Sequence, residues 1–201
     1  ENTLVIVTRR AHRARTLFEA DVLTELAAAG APVPKILAFD GEFLIQQDLG
    51  PITLNDAFAV PEDQVWVEHL DHALVSLRQI QLAGRETTLS TRIPIIGAND
   101  GWIDNLLSAP IRAGDRLASP SPRLDVIGLG ELLRSPNLTF IKWDTRPANA
   151  ALSDTGSIAW FDWQNCGRRN PLDDIAWLVA DENLPDQPEI EAGLIEHHMD
   201  K

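Results

Sequence analysis

The densest set of polar side chains held between apolar segments runs Lys142-Trp143-Asp144-Thr145-Arg146-Pro147-Ala148-Asn149 and resumes at Trp160-Phe161-Asp162-Trp163. A carboxylate, an amide five residues on and a second carboxylate thirteen residues after that are the parts of a magnesium-nucleotide site. Asp144 can orient an incoming hydroxyl, while Asn149 and Asp162 offer hard oxygens to a cation that binds through few protein ligands. An isolated D-x-x-x-x-N is most often a solvated hairpin loop. Here the joint spacing, with a Ser153-Asp154-Thr155-Gly156 turn between the two apolar runs, favours the chemical reading.

Other reactive residue types carry less. His69 and His72 lie three apart on an expected helix, but no third ligand is in register, so they read as surface or core-edge histidines. Cys166 reads as a small buried hydrophobe, and Trp143, Trp160, Trp163 and Trp177 as packing around the proposed site. Arg9, Arg10, Arg13 and Arg15 form a basic patch; one of them suits a phosphate, and a solvated helix start accounts for the rest. The chain has no G-x-x-x-x-G-K-[ST] loop, no G-x-S-x-G elbow and no paired C-x-x-C. P-loop nucleotide hydrolases, α/β-hydrolases and zinc modules are therefore poor alternatives.

The elements that must position these residues follow from periodicity. Leu4–Thr8 is a β-branched run, read as a strand ending in Arg9-Arg10. Thr16–Ala29 has helical spacing at Leu17, Val22, Leu23 and Leu26, and is stopped by Gly30, Pro32 and Pro34. Lys35–Phe39 and Glu42–Gln46 are expected as strands around an Asp40-Gly41 turn. Trp66, Leu70, Ala73, Leu74, Leu77 and Ile80 define a helix over Val65–Leu82. The proline- and serine-rich stretch 84–123 reads as irregular, with a short helix near Trp102. Leu138–Trp143 and Ile158–Trp163 read as one small strand pair, and Leu172–Ala180 and Glu189–His198 as helices. The sum is an α+β arrangement in two lobes.

Composition narrows the class of partner. With 201 residues, 44% hydrophobic and 23% charged, the chain can bury a sizeable core. Its 30 acidic against 17 basic residues give a formal charge of −13, which repels a phosphate backbone and makes nucleic acid an unexpected partner. A single cysteine points to a reducing, cytoplasmic compartment, and no apolar run reaches the length of a membrane helix. Lysine occurs only at positions 35, 142 and 201. The chain opens at Glu1 with residues that already read as a strand, so its N-terminus is expected to be cut or incomplete.

From Phe140 to Ala180 the chain resembles the catalytic segment of the aminoglycoside phosphotransferase and choline kinase family, a branch of the protein-kinase-like fold. That family's pattern is roughly H-G-D-x-x-x-x-N, a hairpin, an I-D-W-E type motif, a glycine, and a D-L-A helix start. The counterparts are Lys142-Trp143-Asp144 with Asn149, then Phe161-Asp162-Trp163-Gln164, Gly167, and Asp174-Ile175-Ala176. The helix from Thr16 to Gly30 with Pro32 and Pro34 is similar to the family's first helix, and Phe43–Gly50 to the segment between its lobes.

The resemblance implies a small β-rich N-lobe over 1–46, a hinge at 47–52, and a larger, mainly helical C-lobe over 53–201. It implies ATP or GTP with magnesium as cofactors and a small-molecule hydroxyl as acceptor, of aminoglycoside, choline or sugar type. Asp144 would be the catalytic base, and Asn149 and Asp162 the metal ligands. Glu19 would position a cation on the phosphates, Gln46, Gln47 and Leu49 would meet the base, and Asp174 would fasten the catalytic loop. Lys142 stands where the family has histidine and Trp143 where it has glycine. Lys142 is expected at the transferring phosphate or paired with Asp144. No lysine lies on the first strand, so Arg9, or else Arg10, is expected in its place. No glycine-rich loop is visible; it is expected before Glu1. Between 170 and 200 nine acids stand without a lysine or arginine, which suits a cationic acceptor. The competing reading is a kinase-like protein, weak or inactive in catalysis, that binds a nucleotide or a protein partner.

Overall fold

The computed structural model describes residues 4–59, 65–97, 99–119, 123–134 and 137–199. Strand β1 (Val5–Thr8) leads through Arg9–His12 into helix α1 (Arg13–Ala28), followed by strands β2 (Ile36–Phe39) and β3 (Leu44–Gln47). The three strands form an antiparallel sheet in the order β1-β3-β2. The β2–β3 turn is closed by Asp40, whose Oδ1 accepts the main-chain N–H of Glu42 at 2.9 Å and of Phe43 at 2.8 Å. That leaves Gly41 at φ +91, which glycine adopts without cost.

Helix α2 (Leu54–Phe58) starts on a reciprocal cap between Thr53 and Asp56. Helix α3 (Val65–Arg85) is the spine: Trp66, Leu70, Ala73, Leu74, Leu77 and Ile80 are all buried, three and four residues apart. They pack with Leu23 and Leu26 of α1 and with Phe140, Trp160 and Trp163 in one continuous core. A short α4 (Leu89–Arg92), α5 (Asp100–Arg116) and α6 (Val126–Leu133) follow. Four short strands come next, β4 (Thr139–Ile141), β5 (Ala150–Leu152), β6 (Ile158–Trp160) and β7 (Gly167–Arg169). Helices α7 (Leu172–Val179) and α8 (Pro188–Met199) close the chain. No described helix is long and apolar enough to cross a membrane.

Two expectations need correction. The stretch read as irregular holds α5, 17 residues long, with Pro110 inside it; residues 98 and 120–122 of that stretch lie outside the described set. Asn99 caps the helix by accepting the Trp102 N–H at 2.8 Å, and Ile103 and Leu107, four apart, face the core. The expected single strand pair is two separate ladders, β4 with β7 and β5 with β6.

Gly84 marks a tight approach in this core. A Cβ there would fall 2.5 Å from Phe140 Cδ1, so a residue that is ordinarily a weakness in a helix is required where α3 crosses β4. Gly84→Ala is expected to destabilise the chain by about 1–3 kcal/mol, not gain helix propensity, as read by the denaturant midpoint.

Candidate active site

The two ladders bring the chemical residues to one place. The β5–β6 register pairs Ala150 with Trp160, so Asn149 and Phe161 leave the same end of the hairpin, and the Phe161 N–H donates to the Asn149 carbonyl at 3.0 Å. The β4–β7 register pairs Ile141 with Gly167, which sets the loop after β4 beside the loop before β7. Asp144, Asn149 and Asp162 are therefore gathered by strand ends far apart in sequence.

Local backbone shape follows from residue type. Arg146 precedes proline and is extended, and Pro147 opens a short 3-10 turn to Asn149. Trp143, Asp144 and Asp162 have φ of +55, +51 and +59. Aspartate tolerates this left-handed region, but a tryptophan there is strained, by about 1–2 kcal/mol. The resembled family places glycine at that position, and this φ is a physical reason for it. In this chain Trp143 is held by its N–H, which donates to Asp174 Oδ1 at 2.8 Å, and by its ring, 4.9 Å from Trp177 and 6.0 Å from Trp102.

Asp174, fully buried, is the fastener of the loop. Its Oδ2 accepts the Lys142 N–H at 3.1 Å and Gln81 Nε2 at 3.2 Å, while its carbonyl accepts the Thr145 hydroxyl at 2.7 Å. Burial pushes its carboxyl up to about 6, while the donors and nearby Lys142 pull the other way. Asp174→Asn would turn an NH₂ toward a main-chain N–H and is expected to cost about 1–3 kcal/mol, measurable by thermal unfolding.

The other end of the site is built by α1 and the sheet. Glu19 is buried and accepts Arg10 Nε at 2.8 Å and Nη2 at 2.9 Å; its Oε1 also accepts the Trp163 N–H at 3.1 Å. Arg10 Nη2 reaches Asp162 Oδ1 at 2.7 Å, so one guanidinium bridges both carboxylates. The Thr16 hydroxyl holds the Arg10 N–H at 3.1 Å. Burial alone would lower the Arg10 pKa, but Glu19 and Asp162 together raise it, and the cation is permanent. Arg9, expected here, instead pairs with Glu42 at 2.5 Å on the exposed outside. The reason is strand alternation: Ile6, Thr8 and Arg10 face one way and Arg9 the other.

A cleft of about 310 Å³ lies against this cluster. Ile6, Pro34, Leu49, Ala151 and Phe161 are the apolar part of its lining, and Arg10, Glu19, Asp48 and Asp162 the charged part. Gln46 and Gln47 line it as well, with Gln46 Nε2 donating to Thr8 Oγ1 at 2.9 Å. Among the described residues, Gln46 Oε1 is buried without a hydrogen-bond partner. Asp144 stands apart from the cleft, its Oδ1 2.8 Å from Arg146 Nε and its Oδ2 3.4 Å from Asn165 Nδ2. Asn149 Nδ2 donates to the Asp144 carbonyl at 2.9 Å, which leaves the Asn149 amide oxygen for another partner.

Lys142 corrects a second expectation. It is wholly buried, and its Nζ donates to the main-chain carbonyls of Asp144 and Asp162, not to the Asp144 carboxylate. Burial lowers its pKa against the pull of Asp174, Asp144 and Asp162. Cys166 is buried and its thiol is pushed well up by that burial, in keeping with a small hydrophobe. His72 Nδ1 lies 3.0 Å from the Gly156 carbonyl, and among the described residues no three His, Cys, Asp or Glu side chains converge on a metal position.

A β-rich lobe with one helix, a mainly helical lobe, and a cleft with an arginine-bridged pair of carboxylates make a two-lobed, protein-kinase-like fold. The chain belongs to the phosphotransferase enzyme family, whose sequence profile matches residues 3–198. Solved structures of the same fold include the aminoglycoside phosphotransferase of Alicyclobacillus acidocaldarius, with a TM-score of 0.65, 11% identity, and coverage of 98% of this chain and 68% of that one. Another is aminoglycoside phosphotransferase APH(3'')-Id of Streptomyces rimosus, solved with ADP and streptomycin, at 0.61, 16%, 98% and 78%. The choline kinase LicA of Streptococcus pneumoniae follows at 0.50, 15%, 98% and 68%. No curated protein matches the chain by sequence.

Proposed function

We propose that the chain transfers the terminal phosphoryl group of ATP, with magnesium, to a hydroxyl of a small molecule. The observation that carries this reading is the cleft itself: about 310 Å³, lined by apolar side chains and by Arg10, which Glu19 aims and which is set beside Asp162. Residues 47–52 act as the hinge between a lobe ending at 46 and one beginning at 53, and main-chain groups of Gln47–Leu49 meet the base edge. Solved neighbours are bound to ATP in one case, to ADP in two and to GDP in another, so GTP belongs in the same test.

The donor set suits magnesium. Asp162 and the free amide oxygen of Asn149 are hard oxygens, and a cation that keeps several waters and takes phosphate oxygens needs only one or two protein ligands. When bound, magnesium neutralises charge on the phosphate oxygens. The rest is done by this chain. Arg10, its Nε and Nη2 held on Glu19, is a fixed cation for the phosphates. Asp144 accepts the hydroxyl proton at a carboxylate oxygen as the oxygen attacks in line, and Arg146 and Asn165 orient that carboxylate. The nine acids after residue 170, of which Asp200 lies outside the described residues, suit a cationic acceptor, such as an amino-sugar or an amine.

The test is thermal unfolding with ATP and with GTP, each with and without magnesium. A nucleotide at 100 times its dissociation constant stabilises the fold by about 2.7 kcal/mol, which is about 5–10 °C for a chain of this size. A magnesium-dependent shift is expected. No shift with either nucleotide would overturn the reading.

A further inference from the structure

Lys142 carries its amino group into a fully buried part of the site without meeting a carboxylate there. Among the described residues the hydrogen-bond partners of its Nζ are two main-chain carbonyls, that of Asp144 at 3.3 Å and that of Asp162 at 3.3 Å. Ring faces enclose it, Trp163 at 5.3 Å and Trp160 at 5.7 Å from Nζ. A buried charge is costly unless its surroundings use it, and apolar replacements at such sites are often neutral for stability. Stability alone is therefore a poor reason for a lysine here.

The two carbonyls suggest the use. They belong to the residues that carry the hydroxyl-side and phosphate-side carboxylates, and both residues sit in the left-handed region, at φ +51 and +59. Such conformations persist only where their surroundings over-determine them. Asp174 ties down the chain before Asp144, and Asn149 bonds the Asp144 carbonyl alone. Among the described residues, Lys142 is the one side chain bonded to the carbonyls of both loops.

We infer that Lys142 is a positioning residue that pins the Asp144 loop to the Asp162 loop, so that the two carboxylates keep a fixed separation during transfer. The inference rests on the proposed phosphotransfer for its kinetic consequence, while the pinning itself can be read without any nucleotide. Methionine offers no donor to either carbonyl, and glutamine carries its two amide protons on a side chain one atom shorter, whereas Lys142 Nζ reaches both.

Lys142→Met and Lys142→Gln test it by amide hydrogen exchange, thermal unfolding and kinetics. In both variants the melting temperature is expected within about 4 °C of the parent. Exchange should rise about tenfold over 143–149 and 161–166 and stay unchanged in α3. The value of kcat should fall about 10²-fold, with KM for the acceptor little changed, as expected when reacting groups drift by about 1 Å. Unchanged exchange in the two loops overturns the inference. So does a rise spread equally over α3, or failure of both variants to fold, since either would place Lys142 in core packing alone. If the parent protein binds no nucleotide, the phosphotransfer reading fails while the exchange result still decides the pinning.

Discussion

Asp144→Asn is expected to lower kcat by about 10²–10⁴-fold while leaving nucleotide affinity nearly intact. The substitution is clean for structural reasons. Asparagine tolerates the left-handed backbone that Asp144 occupies at φ +51, and it keeps the volume of the side chain. Arg146 loses its charged partner, but its side chain is 57% exposed, and an exposed pair contributes little. The charged part of the cleft's lining, with Arg10, Glu19 and Asp162, is untouched. What is removed is the carboxylate proposed to take the hydroxyl proton. The pair of measurements is steady-state kinetics and the nucleotide thermal shift; an equal loss in both would show that Asp144 holds nucleotide and is not the base.

Several features of the site were legible because the chemistry lies in short, ordered motifs. Asp144, Asn149 and Asp162 could be read as a set from spacing, and the chain's ladders do bring them to one end of the strands. Helix α1 was legible from Leu23 and Leu26, and the β2–β3 turn from Asp40-Gly41. Helix α5 was hidden by Pro110 and Gly114, which break propensity, although Ile103 and Leu107 kept helical spacing and Asn99 supplied a cap. The pairing of β4 with β7 is non-local, and nothing in the sequence of Thr139–Ile141 names its partner.

Arg9 and Lys142 show two different reasons for error. The signal for Arg10 was present: Ile6, Thr8 and Arg10 alternate along one face, and that face lines the cleft. Lys142 had no such signal. A lysine beside an aspartate in a polar run reads as a phosphate contact, because residue type says nothing of burial. Only the closure of Trp160 and Trp163 over it turns the same charge inward onto the main chain.

Arg10 also changes what the Asp162 site can do. A lysine would offer one point charge; the guanidinium spends two nitrogens on Glu19 and shares one of them with Asp162. Asp162 Oδ1 is therefore committed to an internal cation. Any cation brought by the nucleotide must share that carboxylate with Arg10, and the phosphates must draw on the same guanidinium.

That competition sets the second large effect. Asp162→Asn is expected to abolish the magnesium-dependent part of nucleotide binding, weakening magnesium-ATP by about 10–100-fold or more. Binding of ATP without magnesium should be unchanged or stronger, because Arg10 is released toward the phosphates while Glu19 still aims it. Asparagine again suits the backbone, at φ +59, so the fold is expected to remain intact. The two nucleotide affinities, measured by titration calorimetry with and without magnesium, should move in different directions or by very different amounts. A parallel loss in both would mean that Asp162 supports the cleft's architecture and not its cation, and it would remove the metal role assigned to it.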